Sequence, residues 1–256
     1  MEALVLAGGK AERLGDAAQG HPKPLVPVAG YPLAEYTVAR LVDAGVTRVL
    51  VACRAGQEEV FHNALAGLGA EIVPVGEPEP LGRGGGLRLA ASRREERGTV
   101  LALNGDELLD VDFRALLAEH ERSGAAATIV VSQVHSPFGV VDLADDGSVT
   151  GFREAPKLPH WVNSGVYALG DEALARLPER GDHEQSTFPE LAAEGKLRGF
   201  RHEGVWLTVN TPKDLRKAEE FMHEHPEWRP RRRLACARTK RGRASRGSSR
   251  RRGAGS

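Results

Sequence analysis

The chain has 256 residues, 41% of them apolar, and 35 Lys or Arg balance 35 Asp or Glu. That length accommodates one large α/β domain with at most a small extension, and the apolar content supports a sizeable core. No stretch approaches the roughly 20 apolar residues that cross a bilayer, and the apolar run after Met1-Glu2 is too short for a secretory signal, which excludes a membrane span and makes a cytoplasmic location the default expectation. The zero formal charge hides an asymmetry. Residues 229–256 hold twelve Lys or Arg and no acid, leaving 23 basic and 35 acidic side chains in residues 1–228, a net of −12. The basic segment is rich in Gly and Ser and poor in apolar residues, so a folded domain over 1–226 followed by a disordered tail over 227–256 is expected. Cys53 and Cys236 form no ligand cluster and no disulfide is expected from them.

The first predicted element is a buried strand over Ala3–Ala7, too short an apolar run for a helix. It breaks at Gly8-Gly9, where the backbone N–H groups lie bare to an approaching anion. Two cations, Arg13 and Lys23, follow within reach of that turn. A strand end, exposed backbone and two cations together point to a triphosphate site. The spacing is neither G-x-x-x-x-G-K-[ST] nor G-x-G-x-x-G. Gly8-Gly9-Lys10-Ala11-Glu12-Arg13-Leu14 followed by Lys23-Pro24 resembles instead the signature of the sugar-phosphate nucleotidyltransferases, the nucleotide-sugar pyrophosphorylases. The resemblance implies a nucleotide lying against Leu6, Ala7, Gly8 and Gly9, with Arg13 and Lys23 as catalytic cations.

Further along, Tyr31-Pro32-Leu33 opens a predicted helix that Gly45 ends. Strands over Arg48–Ala52 and Ala70–Val75 flank a helix over Gln57–Leu68. This alternation predicts a Rossmann-like, mainly parallel sheet with helices on both faces. Gly82-Arg83-Gly84-Gly85-Gly86 follows, with a helix predicted over Leu87–Arg97. By resemblance this loop borders the nucleoside, through Pro80 and Gly82, and Arg83 stands where the family commonly has threonine. The next strand, Thr99–Leu103, delivers Asn104-Gly105-Asp106 at its carboxyl end, where ligands sit in open α/β sheets. A carboxylate there suits Mg²⁺, a hard cation that takes oxygen ligands, and the resemblance likewise makes Asp106 the metal ligand.

Phe113–His120 reads as a helix and Thr128–Val134 as a strand. Phe138–Leu143, a turn at Asp145-Asp146-Gly147 and Ser148–Arg153 read as an inserted antiparallel hairpin. The family shares this hairpin, which implies that Gly139 lies against the sugar. Phe152-Arg153-Glu154 resembles a sugar-binding motif, implying a role for Glu154. The family's phosphate-binding lysine falls at Ala155, and Lys157 is the candidate to replace it. Trp161–Tyr167 matches a further family motif and implies that Asn163 binds a sugar hydroxyl. Near the end, Trp206–Leu215 resembles W-x-D-[IV]-G-T-P-x-D-L, but Thr208 replaces the aspartate that is usually the second metal carboxylate and Asn210 replaces the glycine. Either residue offers a neutral oxygen in its place. Pro212–His223 reads as the last helix.

The resemblance spans roughly residues 3–222 and implies a fold of the nucleotide-diphospho-sugar transferase type. It implies an enzyme joining a nucleoside monophosphate from a nucleoside triphosphate to a sugar 1-phosphate, with Mg²⁺ as cofactor and pyrophosphate as product. Rivals are a same-fold transferase for a non-sugar phosphate acceptor and a catalytically silent regulatory subunit. The basic tail has no aromatic interleaving and no recognition fold beside it, which argues against a nucleic-acid partner. The base, the sugar and the oligomeric state, a homo-oligomer included, stay open at this level.

Overall fold

A computed structural model describes residues 1–231. Cys236 and the rest of the basic segment lie outside the described residues. The strands are β1 (Glu2–Leu6), β2 (Pro27–Val28), β3 (Tyr31–Pro32), β4 (Arg48–Arg54), β5 (Glu71–Glu77), β6 (Val100–Asn104), β7 (Glu107–Leu109), β8 (Ala127–His135), β9 (Val140–Leu143), β10 (Val149–Arg153), β11 (Lys157–Leu169), β12 (Leu197–Arg201) and β13 (Trp206–Thr208). The α-helices are α1 (Leu33–Asp43), α2 (Glu58–Leu65), α3 (Gly82–Ala91), α4 (Phe113–Ser123), α5 (Asp171–Ala175), α6 (Thr187–Ala193) and α7 (Pro212–Glu224).

Seven strands form the central sheet in the order β12-β8-β11-β6-β1-β4-β5. All neighbours run parallel except β11, which is antiparallel to both β6 and β8. The chain lays β1, β4 and β5 outward in one direction, then returns to put β6 on the other side of β1. That reversal opens a crevice at the carboxyl ends of β1 and β6, the usual ligand position in such sheets.

The two helical layers follow from the period-2 alternation of the strands. In β1, Ala3 and Val5 face a core formed with Val38, Leu41, Phe61, Leu65 and Leu116 from α1, α2 and α4. Leu4 faces the other way, into a core formed with Leu87, Ala90, Ala173, Phe188 and Leu191 from α3, α5 and α6. A third cluster, including Leu14, Val26, Tyr36, Leu108, Val209, Leu215 and Met222, fastens the segments beside the crevice to α7.

Two helices differ from the expected bounds for definite reasons. Pro32 lies outside α1, as its N-cap residue, because Tyr31 and Pro32 pair with Pro27 and Val28. Helix α3 starts at Gly82 rather than Leu87 and ends at Ala91 rather than Arg97. Its glycines are packing surfaces: a Cβ on Gly84 would lie 2.6 Å from the Pro178 ring, and one on Gly85 2.6 Å from Glu179 O. Glycine costs about 1 kcal/mol against alanine inside a helix, and close approach of the 178–183 segment offsets that cost. The chain leaves the helix because residues 94–96 fold onto the buried Glu2 carboxylate. Glu95 N and Glu96 N donate to it at 2.9 and 3.1 Å, and Arg94 Nε at 3.3 Å. Packing also continues past residue 226: Trp228 stacks edge-on against Phe221 at 5.1 Å and lies under the Arg40 guanidinium at 4.9 Å.

The second core encloses one titratable ring. His183 is fully buried, sits edge-to-face with Tyr167 at 5.2 Å and Phe188 at 4.7 Å, and neither ring nitrogen meets a hydrogen-bonding partner. Burial, with help from Arg83, pushes its pKa down from 6.5 to about 4. Between those values the unfolded chain binds the proton and the folded chain does not, so stability falls as pH drops. Replacing His183 with leucine removes that dependence. Urea unfolding at pH 7 and pH 5 should show wild type losing about 2 kcal/mol more than His183→Leu.

Candidate active site

The crevice is built by short links at the strand ends. Ala7 N donates to Ala52 O at 2.7 Å, holding the end of β1 against β4 before the chain leaves the sheet at Gly8-Gly9. Gly105 N donates to Leu6 O at 2.9 Å, which seats the Asn104-Gly105-Asp106 turn beside it. Two 3-10 helices, Glu12–Ala18 and Lys23–Leu25, then carry Arg13 and Lys23 back over the opening. The resulting cavity of about 770 Å³ is walled by Gly8, Gly9, Arg13, Lys23, Asp106 and Asn210 among others.

Lys23 is the centre of this wall. Its side chain is buried, and the ammonium pairs with the Asp106 carboxylate and donates to Asn210 Oδ1 at 2.7 Å. Arg13 Nη2 reaches the same amide oxygen at 3.4 Å. Asn210 is aimed by the start of α7. Asp214 N donates to Thr211 Oγ1 at 3.2 Å while the Asp214 carboxylate accepts from Thr211 N at 2.9 Å, a capping box with Pro212 at the first helical position. The same carboxylate accepts from Asn210 N at 3.3 Å. Thr208 lies on β13 in register with Glu107 of β7 and is not part of the cavity wall.

Glu107 stands next to Asp106 in the wall. It accepts from Asn104 Nδ2 at 3.1 Å and from Trp206 Nε1 at 2.8 Å, and burial pushes its carboxyl up to about 7. Glu77, closing β5, is another wall carboxylate that burial raises, with Leu81 N donating to it at 3.4 Å. Pro80, Gly82 and Leu6 line the same cavity, so the amino end of α3 faces it. Ala7 is buried behind the wall.

On the other side one carboxylate joins Arg83 to Asn163, an expected site residue. Arg83 Nη2 meets Glu184 Oε2 at 2.5 Å and Asp182 Oδ2 at 3.1 Å. Glu184 Oε1 in turn accepts from Asn163 Nδ2 at 2.7 Å and from the Tyr167 hydroxyl at 3.2 Å. Asn163 is therefore tied through Glu184 to Arg83 in the cavity wall. Gly139 and Glu154 are neighbours on the hairpin and Lys157 opens β11, and none of the three lines the cavity. The structure thus gathers Arg13, Lys23, Asp106 and Asn210 in one wall, ties Asn163 through Glu184 to Arg83, and places Gly139, Glu154 and Lys157 off that wall. Sequence reading passed over Glu77, Asn104, Glu107, Asp182 and Glu184. The available signal was an acid closing or following an apolar strand, as in Val73-Pro74-Val75-Gly76-Glu77.

Bare backbone at a strand end, two cations, a helix amino end and clustered carboxylates in one crevice define a nucleotide-binding α/β protein whose site is built for phosphate anions. The family model "Nucleotidyl transferase" matches residues 2–225, and the chain belongs to that family. It is 33% identical over 243 residues to the mannose-1-phosphate guanyltransferase beta-A of Xenopus laevis, a match spanning 89% of this chain and 68% of that protein. It is 32% identical over 226 residues to the mannose-1-phosphate guanylyltransferase of Mycobacterium tuberculosis, across 84% of this chain and 62% of the relative. Among solved structures, HddC from Yersinia pseudotuberculosis superposes with a TM-score of 0.68 at 22% identity, over 86% of this chain and 99% of that one, and supports the fold. That protein has also been solved in complex with GMP-PN.

Gly165 sets the spacing between β11 and the Asn104–Glu107 pair beside the crevice. Its φ is +71°, and a Cβ there would lie 2.3 Å from Asn104 Nδ2 and 2.9 Å from Glu107 Oε1. Gly165→Ala should lower stability by about 1–3 kcal/mol in a denaturant titration and displace the Asn104–Glu107 pair.

Proposed function

We propose that this chain joins a nucleoside monophosphate, taken from a nucleoside triphosphate, to a sugar 1-phosphate, with GTP and mannose 1-phosphate as the substrate pair. The observation that carries this reading is the convergence of Arg13, Lys23 and Asp106 on one cavity at the carboxyl ends of β1 and β6. Names of the relatives support the pair chosen. Glu77 supports guanine, whose N1–H and exocyclic N2–H₂ form a two-donor edge that fits a carboxylate, whereas uracil and thymine offer a single N–H.

In this reading a phosphate oxygen of the sugar 1-phosphate attacks the α-phosphorus. The bond from that phosphorus to the bridging oxygen breaks, and the electron pair leaves with pyrophosphate. No protein nucleophile is needed, so catalysis is positioning and charge neutralisation. The Gly8 and Gly9 amides hold the phosphates, Arg13 stabilises the departing pyrophosphate, and Lys23 neutralises charge at the α-phosphate. Asn163 orients the sugar phosphate.

The donor set also fits Mg²⁺. Among the described residues no group of three or more His, Cys, Asp or Glu is placed to hold a metal ion, yet the Asp106 and Asn210 oxygens already converge on one cation, the Lys23 ammonium. Oxygen donors of this kind suit a hard divalent ion. Asp106 with Asn210 would hold it, Thr208 standing two residues from Asn210, and when bound it supplies further charge neutralisation to the phosphates. Lys23 then exchanges Asp106 and Asn210 for a phosphate oxygen.

A pyrophosphate-release assay over a panel of triphosphates and sugar 1-phosphates tests the proposal, with GTP and mannose 1-phosphate expected to turn over fastest. Absence of pyrophosphate with every pair would sink it. Asp106→Ala should lose about 10²–10³-fold in kcat while keeping its circular dichroism. Lys23→Met should depress kcat more than it raises KM for nucleotide, and the opposite pattern would assign Lys23 to uniform binding instead.

A further inference from the structure

Strand β4 ends in the cavity wall at Arg54. Arg54 is in register with Glu77, which ends β5 alongside it, so both side chains leave the sheet on the same side. Arg54 Nε donates to Gly8 O at 3.1 Å. A Cβ on Gly8 would lie 3.3 Å from Glu77 Oε1, so the glycine turn, the guanidinium and the carboxylate form one corner of the cavity. Burial raises the Glu77 carboxyl, and the Leu81 amide and Arg54 oppose that rise. The other wall cations already have side-chain partners: Lys10 meets Glu12, Arg13 meets Asn210, Lys23 meets Asp106 and Arg83 meets Asp182. Among the described residues, neither Nη group of Arg54 donates a hydrogen bond. Its guanidinium is thus anchored through Nε and keeps its outer donors for a ligand.

Glu77 decides which acceptor suits those donors. A phosphate on Arg54 would lie beside the Glu77 carboxylate, where like charges repel, so a neutral oxygen fits better. We propose, resting on the guanine reading of this site, that Arg54 is a specificity-determining residue that donates through an Nη group to O6 of the base. Along one edge of guanine the groups run N2–H₂, N1–H, O6. A carboxylate that takes the first two leaves O6 next to it, an acceptor in need of a donor. Arg54 supplies that donor from the neighbouring strand. Adenine offers its N6–H₂ donor to Arg54 and its N1 acceptor to Glu77, so it is mismatched with both. The same guanidinium holds the Gly8 carbonyl, so base recognition and the phosphate-binding turn are fixed from one point.

Isothermal titration of the full chain with GTP, ITP and 6-thio-GTP tests this through binding alone. ITP lacks the N2 amine, and 6-thio-GTP carries sulfur, a weak acceptor, in place of O6. Wild type should bind 6-thio-GTP at least about fivefold more weakly than GTP. Arg54→Met should abolish that preference while leaving the ratio of GTP to ITP affinity as in wild type. Equal binding of GTP and 6-thio-GTP by wild type overturns the proposal, and this comparison needs no variant, so it holds even if Arg54→Met folds poorly. An Arg54→Met chain that loses affinity for all three nucleotides by one common factor also overturns it, because that is the pattern of a residue acting only through the Gly8 carbonyl. A wild type that binds UTP but not GTP overturns the guanine reading itself, and the role of Arg54 with it.

Discussion

The site depends on one buried ammonium. Lys23 brings together three parts of the chain that would otherwise repel or drift: its own 3-10 turn, the Asp106 turn after β6, and Asn210 ahead of α7. Removing one partner of this pair leaves the other charge without its counter-ion at the wall of the cavity. The same ammonium fills the oxygen cluster that suits a divalent cation. In the free protein Lys23 is therefore a structural counter-ion, and the proposed chemistry uses it as a mobile charge.

Sheet topology makes that meeting achievable. With β6 placed beside β1 and not beside β5, the turn carrying Asp106 emerges next to Gly8-Gly9. The helix layers then take opposite functional roles. On one face α1, α2 and α4 fill an apolar core. On the other, α3 turns its glycine-rich amino end to the cavity and presses its glycines against the 178–183 segment. That contact brings Asp182 and Glu184 within reach of Arg83, and Glu184 hands the connection on to Asn163. An arginine where the resembling family has threonine is thus explained by its acid partners.

The polar network has an apolar support. Tyr167, His183 and Phe188 pack edge-to-face directly behind Glu184. A neutral imidazole serves there as an aromatic plate, since burial removes its proton at ordinary pH. Rigid packing at this point lets a single carboxylate keep three donors aligned, which is what a positioning site requires.

Much of this was legible in the residues themselves. The strand-helix alternation, the Gly8-Gly9 break, the hairpin and the last helix from Pro212 are local, written in side chains within a few positions of one another, where period and turn chemistry decide the outcome. The folded structure alone decided which of those local pieces meet. Lys23 and Asp106 are 83 positions apart and Lys23 and Asn210 187, and only strand order brings them to one point. The glycine run of α3 reads as a loop until the chain packed against it is known, and that Gly139, Glu154 and Lys157 lie off the wall of the cavity is decided only by where the hairpin folds. Propensity acts along the chain, whereas burial, ion pairing and close approach act across it, so the motifs were determined by sequence and their convergence by tertiary packing.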